Sequence, residues 1–136
     1  MISLLYVSQS CIDEVNSEKI VNDIVRASVP RNSAKDITGA LVYTGAKFLQ
    51  ILEGPKKSVL ELMTDIHRDV RHKEVMVISQ RIATGRKFEG WAMAYSGHMG
   101  FIGRHIATLL NVSSKSERTT TEKTITRMMQ SFAKEL

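Results

Sequence analysis

Lys47-Phe48-Leu49-Gln50-Ile51-Leu52-Glu53-Gly54 reads as a strand that ends at a turn, with a single amide set in an apolar run. Alternation puts Phe48, Gln50 and Leu52 on one face, and Leu49, Ile51 and Glu53 on the other. An amide flanked by Phe and Leu on a buried face has two donor hydrogens and two acceptor lone pairs to satisfy. Two readings follow from the strand alone. Gln50 is a core residue tied to neighbouring backbone, or it faces a polar ligand lying on the sheet.

Upstream, residues 2–8 form a strand with Leu4, Tyr6 and Ser8 on one face and Ser3, Leu5 and Val7 on the other. A helix follows from about Ser17, with Asn16 or Ser17 as N-cap and Ile20, Ile24 and Ala27 at helical spacing. Pro30 predicts its end near Ser28 or Val29. Residues 31–36 form a polar loop and residues 37–44 a second strand, which a hairpin at 44–47 joins to the strand of Gln50. Downstream, Gly54-Pro55 marks a turn, with Pro55 suited to the first helical position. A second helix carries Val59, Leu62, Met63, Ile66 and Val70 on one stripe and ends near Arg71-His72-Lys73. Residues 74–82 and 91–96 make a fourth and a fifth strand, with Trp91, Met93 and Tyr95 on one face.

The order β-α-β-β-α-β-β predicts an α+β fold: a ferredoxin-like sandwich with a five-stranded mixed sheet and two helices on one face. The seam between those helices would admit a flat ligand. Residues 1–97 are expected to form this domain, and residues 98–136 a C-terminal extension of two helices joined by a link at about 111–118. The extension carries apolar stripes through Ile102, Ile106, Leu109 and Leu110, then Ile125, Met128, Met129, Phe132 and Leu136. Covering the other face of the sheet is its expected role.

Composition excludes several classes. The 136 residues are 43% hydrophobic and 24% charged, as in an ordinary globular domain. No apolar run approaches the ~20 residues of a membrane helix. The N-terminus lacks a charged leader region, Cys11 is the sole cysteine, and a cytoplasmic protein is expected. The net charge of +5 is met by a solvated basic surface. His67, His72, His98 and His105 lack metal-site spacing, so no metal is expected. Nucleotide-binding glycine motifs and nucleophile elbows are missing, and so are the stacked aromatics of an RNA-recognition module. Neither catalysis by side chains nor nucleic-acid binding is expected.

Tyr6, Asn32, Ile37-Thr38-Gly39-Ala40-Leu41, Phe48 to Gly54, Asp69-Val70-Arg71-His72 and Trp91-Ala92-Met93 occur together in order. In this the chain resembles the BLUF family, sensors of blue light using FAD, over roughly residues 1–97. The resemblance implies FAD between the two helices, with Ile24 and Ile66 at its flanks and Asn32 on the flavin's pyrimidine edge. It implies further cofactor contacts at Tyr6, Gln50, Arg31, Arg68, Asp69, Arg71 and His72. The photoswitch it implies comprises Tyr6, Ser8, Gln50, Trp91 and Met93, with Tyr6 as the electron and proton donor and Gln50 as the hydrogen-bond switch. Asp65 departs from the family's pattern, since a carboxylate there would repel a diphosphate unless Arg31, Lys35 or Arg68 compensates. FMN or riboflavin occupancy therefore stays open. A photoreceptor without an output domain of its own is expected, signalling through its C-terminal helices to a separate protein and forming a homo-oligomer. The alternatives are a light-independent flavoprotein enzyme and a binding module that has lost its flavin.

Overall fold

The computed structural model describes residues 1–95, 97, 99–111 and 114–135. Ser96, His98, Val112, Ser113 and Leu136 lie outside the described residues. With them go the end of the expected fifth strand, one histidine, part of the expected link and the last position of the final stripe. Among the described residues, four strands form one antiparallel sheet: β1 (Ile2–Ser10), β2 (Thr38–Tyr43), β3 (Lys47–Gly54) and β4 (His72–Ile82), in the order β2-β3-β1-β4. Helices α1 (Ser17–Ala34) and α2 (Lys56–Arg68) join β1 to β2 and β3 to β4, and α3 (Gly103–Asn111) and α4 (Lys115–Glu135) close the chain.

Alternation along the strands divides the sheet between two cores. Leu4, Tyr6, Leu41, Phe48 and Leu52 pack with Val21 of α1 and Val59, Leu62 and Met63 of α2. On the opposite face Leu5, Val7, Val42, Leu49 and Ile51 meet Ile106 and Leu109 of α3 and Ile125, Met129 and Phe132 of α4. Each such side chain contributes about 1.5–3 kcal/mol when fully buried, so the extension covers a face that would otherwise stay in water. α4 begins at Lys115, inside the expected link, so the connection between α3 and α4 is shorter than expected.

The first helix runs through Pro30 to Ala34, past its expected end. A proline obstructs the turn before it, because it lacks an N–H and crowds the carbonyl four residues back. The turn after it is free to continue. Here it is fixed from outside, by the buried Asn32, whose Nδ2 donates to the Ala92 carbonyl at 2.9 Å. Arg31 and Asn32 therefore belong to a helix, not a loop. Conversely, α2 stops at Arg68, earlier than expected, where Asp69 turns extended and accepts from the Arg71 backbone N–H at 2.9 Å. Val70 leaves the apolar stripe and is 87% exposed, while His72 opens β4 opposite Ser10. Pro55 caps α2 from just outside its first residue, Lys56.

Among the described residues, the expected fifth strand is reduced to a parallel bridge between Ala40 and Ala94. Gly39 donates to the Trp91 carbonyl and accepts from the Ala94 N–H, both at 3.0 Å. A regular parallel ladder would use residues two apart there, so one extra residue bulges out at Ala92–Met93. The bulge is held by Asn32 on Ala92 and by a contact from Gln50 to Met93. It breaks the alternation: Met93 and Tyr95 join the α1–α2 core, and Trp91 packs on the α4 side instead of sharing their face. Gly39 itself is obligatory, because a Cβ there would lie 2.0 Å from the Ile51 carbonyl oxygen.

Candidate functional site

A cavity of about 570 Å³, counting its open mouth, lies between α1 and α2 over the middle of the sheet. Its apolar lining comes from Ile24 and Ala27 of α1, Ile66 of α2, Leu41 of β2 and Phe48 of β3. Tyr6 and Gln50 supply the polar groups that the sheet contributes, from directly paired positions on β1 and β3. The β-register thus places a phenol and an amide side by side, since opposite residues on one face stand about 4.5–5.5 Å apart at Cβ.

The Tyr6 hydroxyl donates to Gln50 Oε1 at 2.5 Å, and Gln50 Nε2 donates to Met93 Sδ at 3.3 Å. All three side chains are buried. The amide is held unequally. Its oxygen takes a short bond from a phenol, whereas its nitrogen meets a thioether, a weak acceptor. Burial pushes the Tyr6 phenol well above its ordinary range; the Asp69 charge adds to this and Arg31 opposes it. Tyr6 is therefore neutral and a donor at physiological pH. Tyr95, further along the bulged segment, is pushed up to about 12 by burial, then by Glu18 and Tyr43, and its buried hydroxyl has no hydrogen-bond partner among the described residues.

His72 closes one end of the cavity, its ring edge-on to both Tyr6 and Phe48 at centroid distances of 6.2 and 6.1 Å. Nε2 lies 2.5 Å from the Ile66 carbonyl, and Nδ1 lies 2.7 Å from Ser8 Oγ. A carbonyl only accepts, which puts a proton on Nε2; in the neutral ring Nδ1 then accepts from the Ser8 hydroxyl. Ser8 and His72 thus tie the end of α2 to β1. Arg71 grips the Asp69 carboxylate, which holds it below the usual carboxylate range despite opposing burial. At the mouth, a second depression shares Arg31, Ile66, Asp69 and Arg71 with the cavity and adds Asp65, Arg68 and Val70. Asp69 is neutralised by Arg71, so Arg31 and Arg68 outnumber Asp65. Lys35 instead pairs with Glu61 at 3.9 Å.

The residues expected at the site divide accordingly. Tyr6, Ile24, Arg31, Gln50, Ile66, Asp69, Arg71 and His72 line the cavity, and Arg68 lines its mouth. Met93 lies directly behind Gln50, and Ser8 acts through His72. Asn32 is fully buried, its amide directed at Ala92 and its oxygen accepting from Arg31 Nε at 3.4 Å. Trp91 is on the opposite side of the sheet. Ala27, Ser28, Leu41 and Phe48 also line the cavity, although sequence reading did not single them out as cofactor contacts. Helical spacing from Ile24 and strand alternation from Gln50 were the signals that could have found them.

The sequence profile of the BLUF family, sensors of blue light using FAD, matches residues 1–94. The chain belongs to the BLUF family. It is 38% identical to the photoactivated adenylate cyclase subunit alpha of Euglena gracilis over 78 residues, which are 57% of this chain and 8% of that protein. The blue light- and temperature-regulated antirepressor BluF of Escherichia coli K12 is 33% identical over 86 residues, 63% of this chain and 21% of that one. The chain thus spans only a small part of these relatives. The dark-state structure of the BLUF protein BlrB superposes with a TM-score of 0.76 at 30% identity, covering 96% of this chain and 95% of that one. BLUF domains are sensory modules, and FAD is the family's cofactor. The residues present fit a flavin, with aliphatic side chains on both helices, an amide beneath them and guanidiniums where a diphosphate would emerge. Among the described residues, no helix is long and apolar enough to cross a membrane.

Proposed function

We propose that this BLUF chain is a blue-light photoreceptor that holds FAD between α1 and α2, with Tyr6 as electron and proton donor and Gln50 as the switch. The observation that carries this reading is the buried chain Tyr6–Gln50–Met93 beneath the cavity. When bound, the flavin supplies absorption of blue light and, once excited, oxidising power. Tyr6 would supply an electron to the excited flavin, and its phenolic proton would leave along the short bond to Gln50 Oε1. On return of both, Tyr6 is restored and the amide has rotated or changed tautomer. The thioether contact opposes this little, because Nε2–H···S is weak.

The amide's new orientation withdraws its N–H from Met93, and Met93 sits on the bulge that β2 holds by few backbone bonds. The segment continues through the bond from Met99 N–H to the Tyr43 carbonyl into α3. Light is therefore relayed from Gln50 through residues 91–99 to α3 and α4, and thence to a separate protein or to another copy of the chain. On this reading residues 1–97 sense and residues 98–136 transmit, in a cytoplasmic protein, and the strand order supports the ferredoxin-like assignment of the sheet.

Absorption spectra of the flavin-loaded protein in the dark, after a blue flash and during recovery test the proposal. A small red shift that reverses in the dark, and that Gln50→Leu and Tyr6→Phe abolish, supports it. Bleaching without a shift overturns it in favour of redox turnover.

A further inference from the structure

We propose that Glu53 is a positioning residue that sets Met93 beside Gln50 by clamping the far end of the same segment. Glu53 stands three residues beyond Gln50 on β3 and on the opposite face, buried to 1% exposure. Its carboxylate accepts from three donors: Thr38 Oγ at 2.9 Å and the Phe88 N–H at 2.7 Å on Oε1, and the Lys87 N–H at 2.9 Å on Oε2. Arg86 completes the node, donating to Thr38 Oγ, to the Glu53 and Asp36 carbonyls and to the Asp36 carboxylate. A buried carboxylate is costly unless so paired, and those backbone N–H groups need an acceptor where they lie.

From there the path to Met93 is short and stiff. The Trp91 N–H donates to the Phe88 carbonyl at 2.9 Å, closing a turn over Glu89 and Gly90. Gly90 has φ 85°, the conformation a type II turn requires at its third position. The Phe88 side chain, at 1% exposure, plugs the α4-side core. Trp91 then bonds Gly39, Ala92 bonds Asn32, and Met93 meets Gln50. Both ends of residues 87–93 are thus held by β3, one through Glu53 and one through Gln50. With the Glu53 end fixed, the Met93 end is the part free to respond when Gln50 turns.

This rests on the proposed role of Met93 behind Gln50, and the test separates the two. Glu53→Gln keeps the side chain's volume but replaces one accepting oxygen with an NH2 that opposes the N–H donors. Wild type, Glu53→Gln, Met93→Ala and the double variant are compared by dark-recovery rate after a flash. In the apo proteins, hydrogen exchange of residues 86–94 and the emission of Trp91, the sole tryptophan, are also compared. We expect Glu53→Gln to change recovery about fivefold, the scale of one net hydrogen bond, and to raise exchange in residues 86–94. Added to Met93→Ala it should change recovery little further. If Met93→Ala alone leaves recovery unchanged, the functional reading fails and takes this inference with it. If Met93→Ala acts while Glu53→Gln does not, or the two effects add in full, the inference alone is overturned. Should Glu53→Gln fail to fold, Thr38→Val, which removes one donor to Oε1, must shift exchange and recovery in the same direction by a smaller amount. No shift overturns the proposal.

Discussion

Tyr6→Phe separates the stability role of the phenol from its role in the switch. The ring stays, and with it the packing of β1 against Leu41 and Phe48 in the α1–α2 core, so the hydrophobic term is unchanged. What goes is the 2.5 Å bond to Gln50 Oε1, which leaves a buried amide oxygen without its donor. That loss costs about 1–3 kcal/mol, out of the roughly 5–15 kcal/mol that holds such a domain together. The variant therefore folds. With a urea m-value of about 1–3 kcal/mol per molar, its midpoint in the apo form falls by roughly 1 M, read from Trp91 fluorescence. Loaded with FAD, it shows an ordinary dark flavin spectrum and no reversible red shift. A full red shift in Tyr6→Phe would refute the assignment of Tyr6 as donor. An unchanged urea midpoint would refute the claim that its hydroxyl satisfies Gln50.

Three further outcomes are expected. Because burial raises the Tyr6 phenol above its ordinary value of 10.0, its contribution to stability is complete below pH 10 and is lost at higher pH, as the unfolded chain ionises first; Tyr6→Phe should show a weaker alkaline loss in denaturation curves. Gly39→Ala should destabilise the fold by about 3 kcal/mol or more, because the new methyl meets backbone that cannot turn aside; a melting temperature equal to wild type would exclude the crowding. Arg68→Glu should weaken FAD binding several-fold more than riboflavin binding in calorimetric titrations, because of the two only FAD carries a diphosphate, which on the proposed placement would meet the exposed cations at the mouth; equal losses would place the diphosphate elsewhere.

What the sequence disclosed was the part governed by local periodicity. Alternation along β1 and β3 puts Tyr6 and Gln50 on one face without any knowledge of their neighbours, and the structure pairs them directly. The stripes of α2 as far as Ile66 and of α4 as far as Phe132 were legible for the same reason. Three features were not, and each depends on a contact distant in sequence. Pro30 sits inside α1 because Asn32 is bound to Ala92, sixty residues away. His72 belongs to β4 because Asp69 folds back on Arg71 and Ser8 receives the imidazole. Trp91 and Met93 part company because a bulge of one residue breaks their alternation, and no local pattern marks a bulge that a neighbouring strand imposes.

Glu53 shows the same limit from the other side. Sequence reading placed it on the face away from Gln50, where a carboxylate on an apolar strand is anomalous, but its backbone partners, Lys87 and Phe88, lie more than thirty residues on. Once Lys87 and Phe88 are seen to need that acceptor, β3 carries two polar residues for one purpose, gripping the same loop from opposite faces of the sheet. A hydrogen-bond switch of this size releases very little energy, on the order of 1 kcal/mol for one neutral bond. So small a change moves a segment only if the rest of that segment is already fixed and has few ways to absorb it. The three donors on Glu53, the turn at Gly90 and the plug of Phe88 meet that condition for residues 87–91. The freedom that remains lies at the Ala92–Met93 bulge, before Ala94 is tied to β2 on both sides, its N–H to the Gly39 carbonyl and its carbonyl to the Leu41 N–H.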